Sequence, residues 1–354
     1  MKKLRFFTGF LICLSLTACR AEKRVLSFTA MNTYMTMQVY ATQGGTGAAH
    51  KAEEALNACR NEVFSLETIL STTIQGSDVY RINNSAGEVV SVNKTVSELV
   101  EFSTDMYKKT DGAFNPALYP VIHEWGFTTG DYKIPPREKI DSLLKFTDFL
   151  RVAAEKEEPF TVRLEPNMQL DFGAIGKGYA GDRVMAMLRA RGYSSALIDF
   201  GGNVQTLGTK PDGSLWTVGI KKPWNAEGAA SETTGVACAV KVRDKAVITS
   251  GGYERFFMGE DGKKYIHIFD PATGAPAQSN LESVTIIAES GTYADALSTS
   301  LFVMGKDRAI NFWKNAADFD FILITKEREI IYSAGLEGFI NPLYDFRNSS
   351  VISL

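Results

Sequence analysis

Asp171-Phe172-Gly173-Ala174-Ile175-Gly176-Lys177-Gly178-Tyr179 is the stretch around which the rest of the chain is organised. An apolar segment at 160–172, read as two short strands about Glu165-Pro166-Asn167, leads into it. Helical spacing over 179–191, closed by Gly192, leads out. Glycines between strand and helix let backbone approach a ligand, and free N–H groups at a helix start attract phosphate oxygens. Lys177 adds a mobile positive charge. The spacing Gly-x-x-Gly-Lys-Gly is short for a triphosphate-binding loop, and no Ser or Thr follows the lysine to hold magnesium, which disfavours a nucleoside triphosphatase. Taken alone, the stretch reads equally as a phosphate cradle or a tight turn.

Outward from this loop, helical periodicity covers 48–70 (Ala52, Ala55, Leu56, Val63, Leu66, Leu70), 96–110 up to Asp111-Gly112, 136–144 and 292–304. Strand patterns cover 26–40, 195–200, 204–208, 215–221, 238–242, 246–249, 264–269, 283–288, 319–325 and 330–333, with Gly, Pro and Asp turn signals between them. These elements lack the regular strand-helix-strand period of a doubly wound sheet. The expected class is α+β, with largely antiparallel sheets and packed helices. No Gly-x-Ser-x-Gly marks a serine nucleophile.

The chain has 354 residues and a formal net charge of -3. That balance gives no basic surface for nucleic acid. Lys2, Lys3 and Arg5 precede an apolar run at 6–16 too short to span a bilayer, followed by Leu16-Thr17-Ala18-Cys19. This resembles a lipoprotein signal of residues 1–18, with Cys19 acylated (palmitate among its chains) and a single body at 19–354. The expected location is a bacterial membrane, with the inner membrane preferred, facing the periplasm. Cys59 and Cys238 then remain in the body and define no disulfide framework.

Two further segments carry chemistry. In Gly291-Thr292-Tyr293-Ala294-Asp295-Ala296-Leu297-Ser298-Thr299, Asp295 and Thr299 share one helix face and offer carboxylate and hydroxyl oxygens to a hard cation such as magnesium. Thr292 and Asp295 also have capping-box spacing, which would make Asp295 structural. In His267-Ile268-Phe269-Asp270-Pro271-Ala272-Thr273-Gly274, His267 is either a structural residue or a phosphate contact and proton shuttle. The other histidines, His50 and His123, form no zinc-ligand spacing with it.

The order and wording of these segments resemble the ApbE family of FAD:protein FMN transferases. The resemblance runs through Ala30-Met31-Asn32-Thr33, Thr110-Asp111-Gly112-Ala113-Phe114-Asn115-Pro116, Trp125-Gly126-Phe127 and 171–182. It continues through Phe200-Gly201-Gly202-Asn203, 208–213, 249–256, 267–276 and 294–299. It implies a T-fold-like α+β body with an FAD cleft and magnesium at the diphosphate. By position, the metal ligands would be the Asp295 and Thr299 side chains and the Ala174 carbonyl. Met31, Asn32, Thr73, Ala113, Phe114, Asn115, Asp171, Lys177 and His267 would line the FAD site, with Asp295 or His267 as base. Asn32 stands where the family usually has Gly, and Gly252 where it usually has Asp or Asn.

The implied reaction is magnesium-dependent transfer of FMN from FAD to a Thr or Ser hydroxyl of another exported protein, releasing AMP. Acceptors of the family carry Asp-x-x-Ser/Thr-Gly-Ala-Thr/Ser and include subunits of redox-driven membrane complexes. That motif does not occur in this chain. Two alternatives stay open: an FAD pyrophosphatase giving FMN and AMP, and a non-catalytic flavin-binding lipoprotein.

Overall fold

A computed structural model describes residues 22–41, 46–224 and 235–354. The signal segment and Cys19 lie outside the described residues. Nine strands form one sheet whose spatial order is the chain order: Glu22–Ala30, Thr33–Ala41, Ser195–Phe200, Asn203–Gly208, Ala246–Gly251, Leu281–Ala288, Asp320–Thr325, Glu329–Ser333 and Asn348–Ile352. Neighbours pair antiparallel except the last two, which are parallel. The helices are α1 (Thr46–Leu70), α2 (Asp78–Asn83), α3 (Lys94–Lys109), α4 (Tyr119–Glu124), α5 (Arg137–Leu144), α6 (Gly176–Ala190), α7 (Gly291–Met304) and α8 (Lys306–Ala316). The α+β, mainly antiparallel expectation holds.

The period-two alternation of the strands sorts their side chains onto two buried faces. Ile198, Leu207, Ile248, Ile286 and Leu323 point to the helices, while Val204, Val247, Ile287 and Ile322 point the other way. A three-stranded sheet of Trp216–Lys221, Val236–Val242 and Ile340–Pro342 is sealed by that second set. Burial on both faces is why 281–288 reads as an almost unbroken apolar run. On the helical face, α1 and α6 cover the first strands, while α7, α8, α2 and α3 cover the later ones. The α6 and α7 helices therefore meet over the middle of the sheet.

Several local expectations are corrected. The single strand at 26–40 is a hairpin, turned at Met31 and Asn32 with φ of 48° and 55°. A two-residue turn with both φ positive matches the twist of the strands, and only Asn32 gave a local hint of it. In the segment 160–172 only Thr161–Arg163 is a strand. Beyond it the chain is held by a side chain instead: Asn83 donates to the Leu170 carbonyl at 2.8 Å and accepts from the Leu170 N–H at 2.7 Å. The strand at 264–269 is split into Lys264–Ile266 and Phe269–Asp270. The helix α8 follows Gly305 directly and was hidden behind α7's stop signal. Cys59 and Cys238 are both free and buried in separate cores, and burial pushes their thiols up to about 11 and about 12. Among the described residues no helix is long and apolar enough to cross a membrane.

Candidate active site

Close approach of α6 and α7 depends on glycine. A Cβ on Gly178 would lie 2.3 Å from the Gly291 carbonyl oxygen and 2.9 Å from Asp295 Cβ. A Cβ on Gly291 would lie 1.8 Å from Gln205 Nε2. Gln205 rises from the sheet into this crossing and donates to the Gly178 carbonyl at 3.0 Å. Because the helices touch here, the Gly178 N–H donates to Asp295 Oδ2 at 2.9 Å. In a regular helix that N–H would take the Ala174 carbonyl. Among the described residues no donor takes the Ala174 oxygen, so it remains available beside the Asp295 carboxylate.

The start of α7 is capped by other groups. Ser290 Oγ accepts from the Tyr293 N–H at 3.2 Å. Asp182 of α6 accepts from the N–H groups of Gly291 and Thr292 at 2.6 and 2.9 Å, and from the Ser290 and Thr292 hydroxyls at 2.9 and 2.7 Å. A carboxylate is favoured at a helix N-terminus, and Asp182 fills that role from the neighbouring helix. Asp295 sits in the second turn, so its reading as a cap is overturned. It is 5 % exposed. Burial lifts its carboxyl above the usual range, against the pull of Lys177, the Gly178 N–H and the Asn203 amide toward the charged form. One turn on, Thr299 Oγ1 lies 3.2 Å from Ser250 Oγ, which also bonds Ser298 Oγ at 2.8 Å.

Lys177, at the start of α6, connects this carboxylate to a second group of charges. Its ammonium acts on Asp295, Asp171 and His267 alike. Asp171 is positioned by its N–H, which donates to the Pro116 carbonyl at 3.0 Å, and by Oδ1, which accepts from the Gly173 N–H at 2.9 Å. Burial raises its carboxyl, with the Gly173 N–H, Lys177 and Arg255 opposing. His267 is fixed by two contacts to the Arg255 carbonyl, from its N–H and from Nδ1, each at 3.1 Å. Burial, then Arg255 and Lys177, lower the imidazole to about 4 and so keep it neutral. With the Nδ1 proton directed at a carbonyl, Nε2 is left as the acceptor. The Arg255 guanidinium donates to the Phe127 carbonyl at 2.5 Å, tying in the 125–127 segment.

The remaining sequence candidates fall into two loops and a turn. The Met31 N–H donates to Glu67 Oε1 of α1 at 2.6 Å, which holds the left-handed Met31-Asn32 turn in place. The loop 113–115 is joined to Asp171 through Pro116. Within it the Phe114 ring is 1 % exposed and part of the main core, and its N–H donates to the Thr110 hydroxyl at 3.0 Å. Asn115 is similarly committed: its Oδ1 accepts from the Ala117 N–H at 2.9 Å and its Nδ2 donates to the Thr147 carbonyl at 2.8 Å. Thr73 is exposed in the turn after α1, paired with Ser71 Oγ at 3.2 Å. Among the described residues no hydrogen bond ties Thr73 to the Lys177 or Asp295 groups. Gln205 and Glu67 escaped the sequence reading because they act across long separations, and Asp182, Ser250 and Arg255 lay inside matched motifs without a role.

Hard oxygens from a buried carboxylate, a hydroxyl and an uncommitted carbonyl, next to a lysine, an arginine and a neutral imidazole, define a site suited to phosphate chemistry. Comparison with known proteins agrees, since the profile of the ApbE family matches residues 31–323. The chain belongs to the ApbE family. It is 33% identical over 346 residues to the FAD:protein FMN transferase of Treponema pallidum, covering 93% of each chain. It is 33% identical to that of Klebsiella pneumoniae strain 342, covering 81% of this chain and 88% of the relative. Among solved structures, the ApbE protein of Thermotoga maritima superposes with a TM-score of 0.80 at 30% identity, covering 90% of this chain and 99% of that one. The flavinyl transferase ApbE of Pseudomonas stutzeri gives 0.74 at 28%, covering 87% and 92%.

Proposed function

We propose that this protein transfers the FMN moiety of FAD to a Ser or Thr hydroxyl of an acceptor protein, with magnesium held by Asp295, Thr299 and the Ala174 carbonyl. The observation that carries the reading is the Gly178–Asp295 contact. It leaves the Ala174 oxygen without a donor among the described residues, in a chain one third identical over nearly its whole length to the FAD:protein FMN transferase of Treponema pallidum. The donor set fits the ion: the oxygens are hard, and only one ligand is a carboxylate. When bound there, the cation neutralises diphosphate oxygens.

The chain's own groups supply the rest. Lys177 balances charge on the phosphates; at the start of α6 the Gly176 and Gly178 N–H groups are already taken by the Phe172 carbonyl and Asp295. His267, neutral with Nε2 free, takes the proton of the attacking hydroxyl, with Asp295 the other candidate base. A bond forms from the acceptor oxygen to the FMN phosphorus, the bond from that phosphorus to the bridging oxygen breaks, and AMP leaves. Asn32 at the hairpin turn, in place of the family's usual Gly, is where water and a protein hydroxyl would be discriminated. We further propose that the protein is exported and anchored through lipid on Cys19 to a membrane facing the periplasm. Its acceptors would then be exported proteins bearing the family motif.

Incubation with FAD, magnesium and a motif-bearing acceptor peptide should give a covalent fluorescent flavin adduct and AMP. Release of FMN and AMP without adduct would establish the pyrophosphatase, and intact FAD a binding protein. Asp295→Ala should abolish turnover and weaken magnesium binding at least tenfold; near wild-type values for both would remove the cation site.

A further inference from the structure

Asn203 opens the strand Asn203–Gly208. Residues 203, 205 and 207 share the helix-facing side of that strand. Gln205 shows where this side points, because its amide reaches Gly178. Opposite Asn203 in register is Ile248, and two residues along from Ile248 on the same face is Ser250, whose hydroxyl meets Thr299. Asn203 thus belongs to the polar patch beneath Asp295 and Thr299. It is only 3 % exposed, and both its carboxamide nitrogen and oxygen are buried without a hydrogen-bond partner. Its amide nitrogen faces the Asp295 carboxylate and favours its charged form, so the side-chain oxygen is the end left with nothing to accept from.

A buried carboxamide oxygen left unsatisfied is a standing cost to the fold. Gln205, two residues away on the same face, shows that the sheet can satisfy an amide here. A residue serving packing alone would be served better by Leu, so the cost points to a partner that arrives with ligand. Carboxamide oxygen is a hard donor of the same kind as the carbonyl and hydroxyl already present.

We propose that Asn203 is a further ligand of the cation site, its side-chain oxygen joining Asp295, Thr299 and the Ala174 carbonyl around a divalent ion. The inference rests on the proposed cation site. It couples metal binding to stability, because the ion satisfies a group that the metal-free protein leaves unpaired.

The test uses the full chain without FAD, with Mn2+ as the probe read by electron paramagnetic resonance and Mg2+ by thermal shift. Asn203→Leu should have a metal-free Tm equal to or above wild type, while binding Mn2+ at least tenfold more weakly and losing the Mg2+-induced shift. Mn2+ affinity within twofold of wild type overturns the proposal. Should that variant not fold, Asn203→Asp serves: it should tighten Mn2+ binding at least tenfold, and unchanged affinity overturns the proposal equally. Asp295→Asn separates the two ideas. Loss of Mn2+ binding in Asp295→Asn with none in Asn203→Leu refutes Asn203 alone, whereas retention in Asp295→Asn refutes the cation site itself.

Discussion

Replacing Gly178 by Ala sets helix propensity against tertiary contact. Inside an isolated helix the change is favourable by about 1 kcal/mol. In this structure the new Cβ would sit 2.3 Å from the Gly291 oxygen and 2.9 Å from Asp295 Cβ, both within the partner helix. Helix backbone cannot rotate aside as a side chain can, so α6 and α7 must part. Overpacking of this kind costs about 1–3 kcal/mol. Separation also breaks the Gly178–Asp295 hydrogen bond, a charged-acceptor bond worth about 1.5–3 kcal/mol. After subtracting the propensity gain, Gly178→Ala should destabilise by about 2–5 kcal/mol and restore the Ala174 carbonyl to the helix. Gly176→Ala is the control, because a Cβ there meets nothing within 4 Å and the residue has no positive φ. Urea denaturation of both variants, with Mg2+ affinity measured alongside, is the assay. If Gly178→Ala is as stable as Gly176→Ala and binds Mg2+ like wild type, the close contact of the two helices is not what builds the site.

The Met31-Asn32 turn gives a second expectation. Asn32→Gly should be neutral or slightly stabilising, whereas Asn32→Val should cost about 1–2 kcal/mol for placing a β-branched residue in the left-handed region, read as a shifted denaturation midpoint. Equal midpoints would mean that the turn is not left-handed in solution. His267 gives a pH signature. Its folded value is about 4 against an ordinary 6.5, so between these values the unfolded chain binds more protons. Stability must therefore rise with pH across that window and fall as pH drops from 6.5 toward 4. His267→Gln should flatten this part of the profile, and parallel profiles for variant and wild type would show an imidazole that titrates normally.

How much was legible in the sequence depended on how local each feature is. Helical and strand periodicity at 48–70, 195–200 and 281–288 is written in neighbouring residues, because burial of a face imposes its period on the chain. The α+β class and largely antiparallel sheet followed from that pattern, and the cofactor motifs were visible as ordered words. What neighbouring residues could not express was pairing at a distance. The 160–172 segment looked like two strands until Asn83 satisfied the second one's backbone. Asp295 looked equally like a cap and a ligand, since spacing alone cannot show that Asp182, 113 residues earlier in the chain, already caps α7. The sequence by itself determined most of the helices and strands, the family resemblance and the candidate oxygens. Only the tertiary structure decided that Gly178 gives its N–H to Asp295, that Ala174 is thereby left free, and that the Asn203 side-chain oxygen is buried without a donor. Those outcomes depend on contacts between two helices and a sheet, and such contacts exist only once the chain has brought distant residues together.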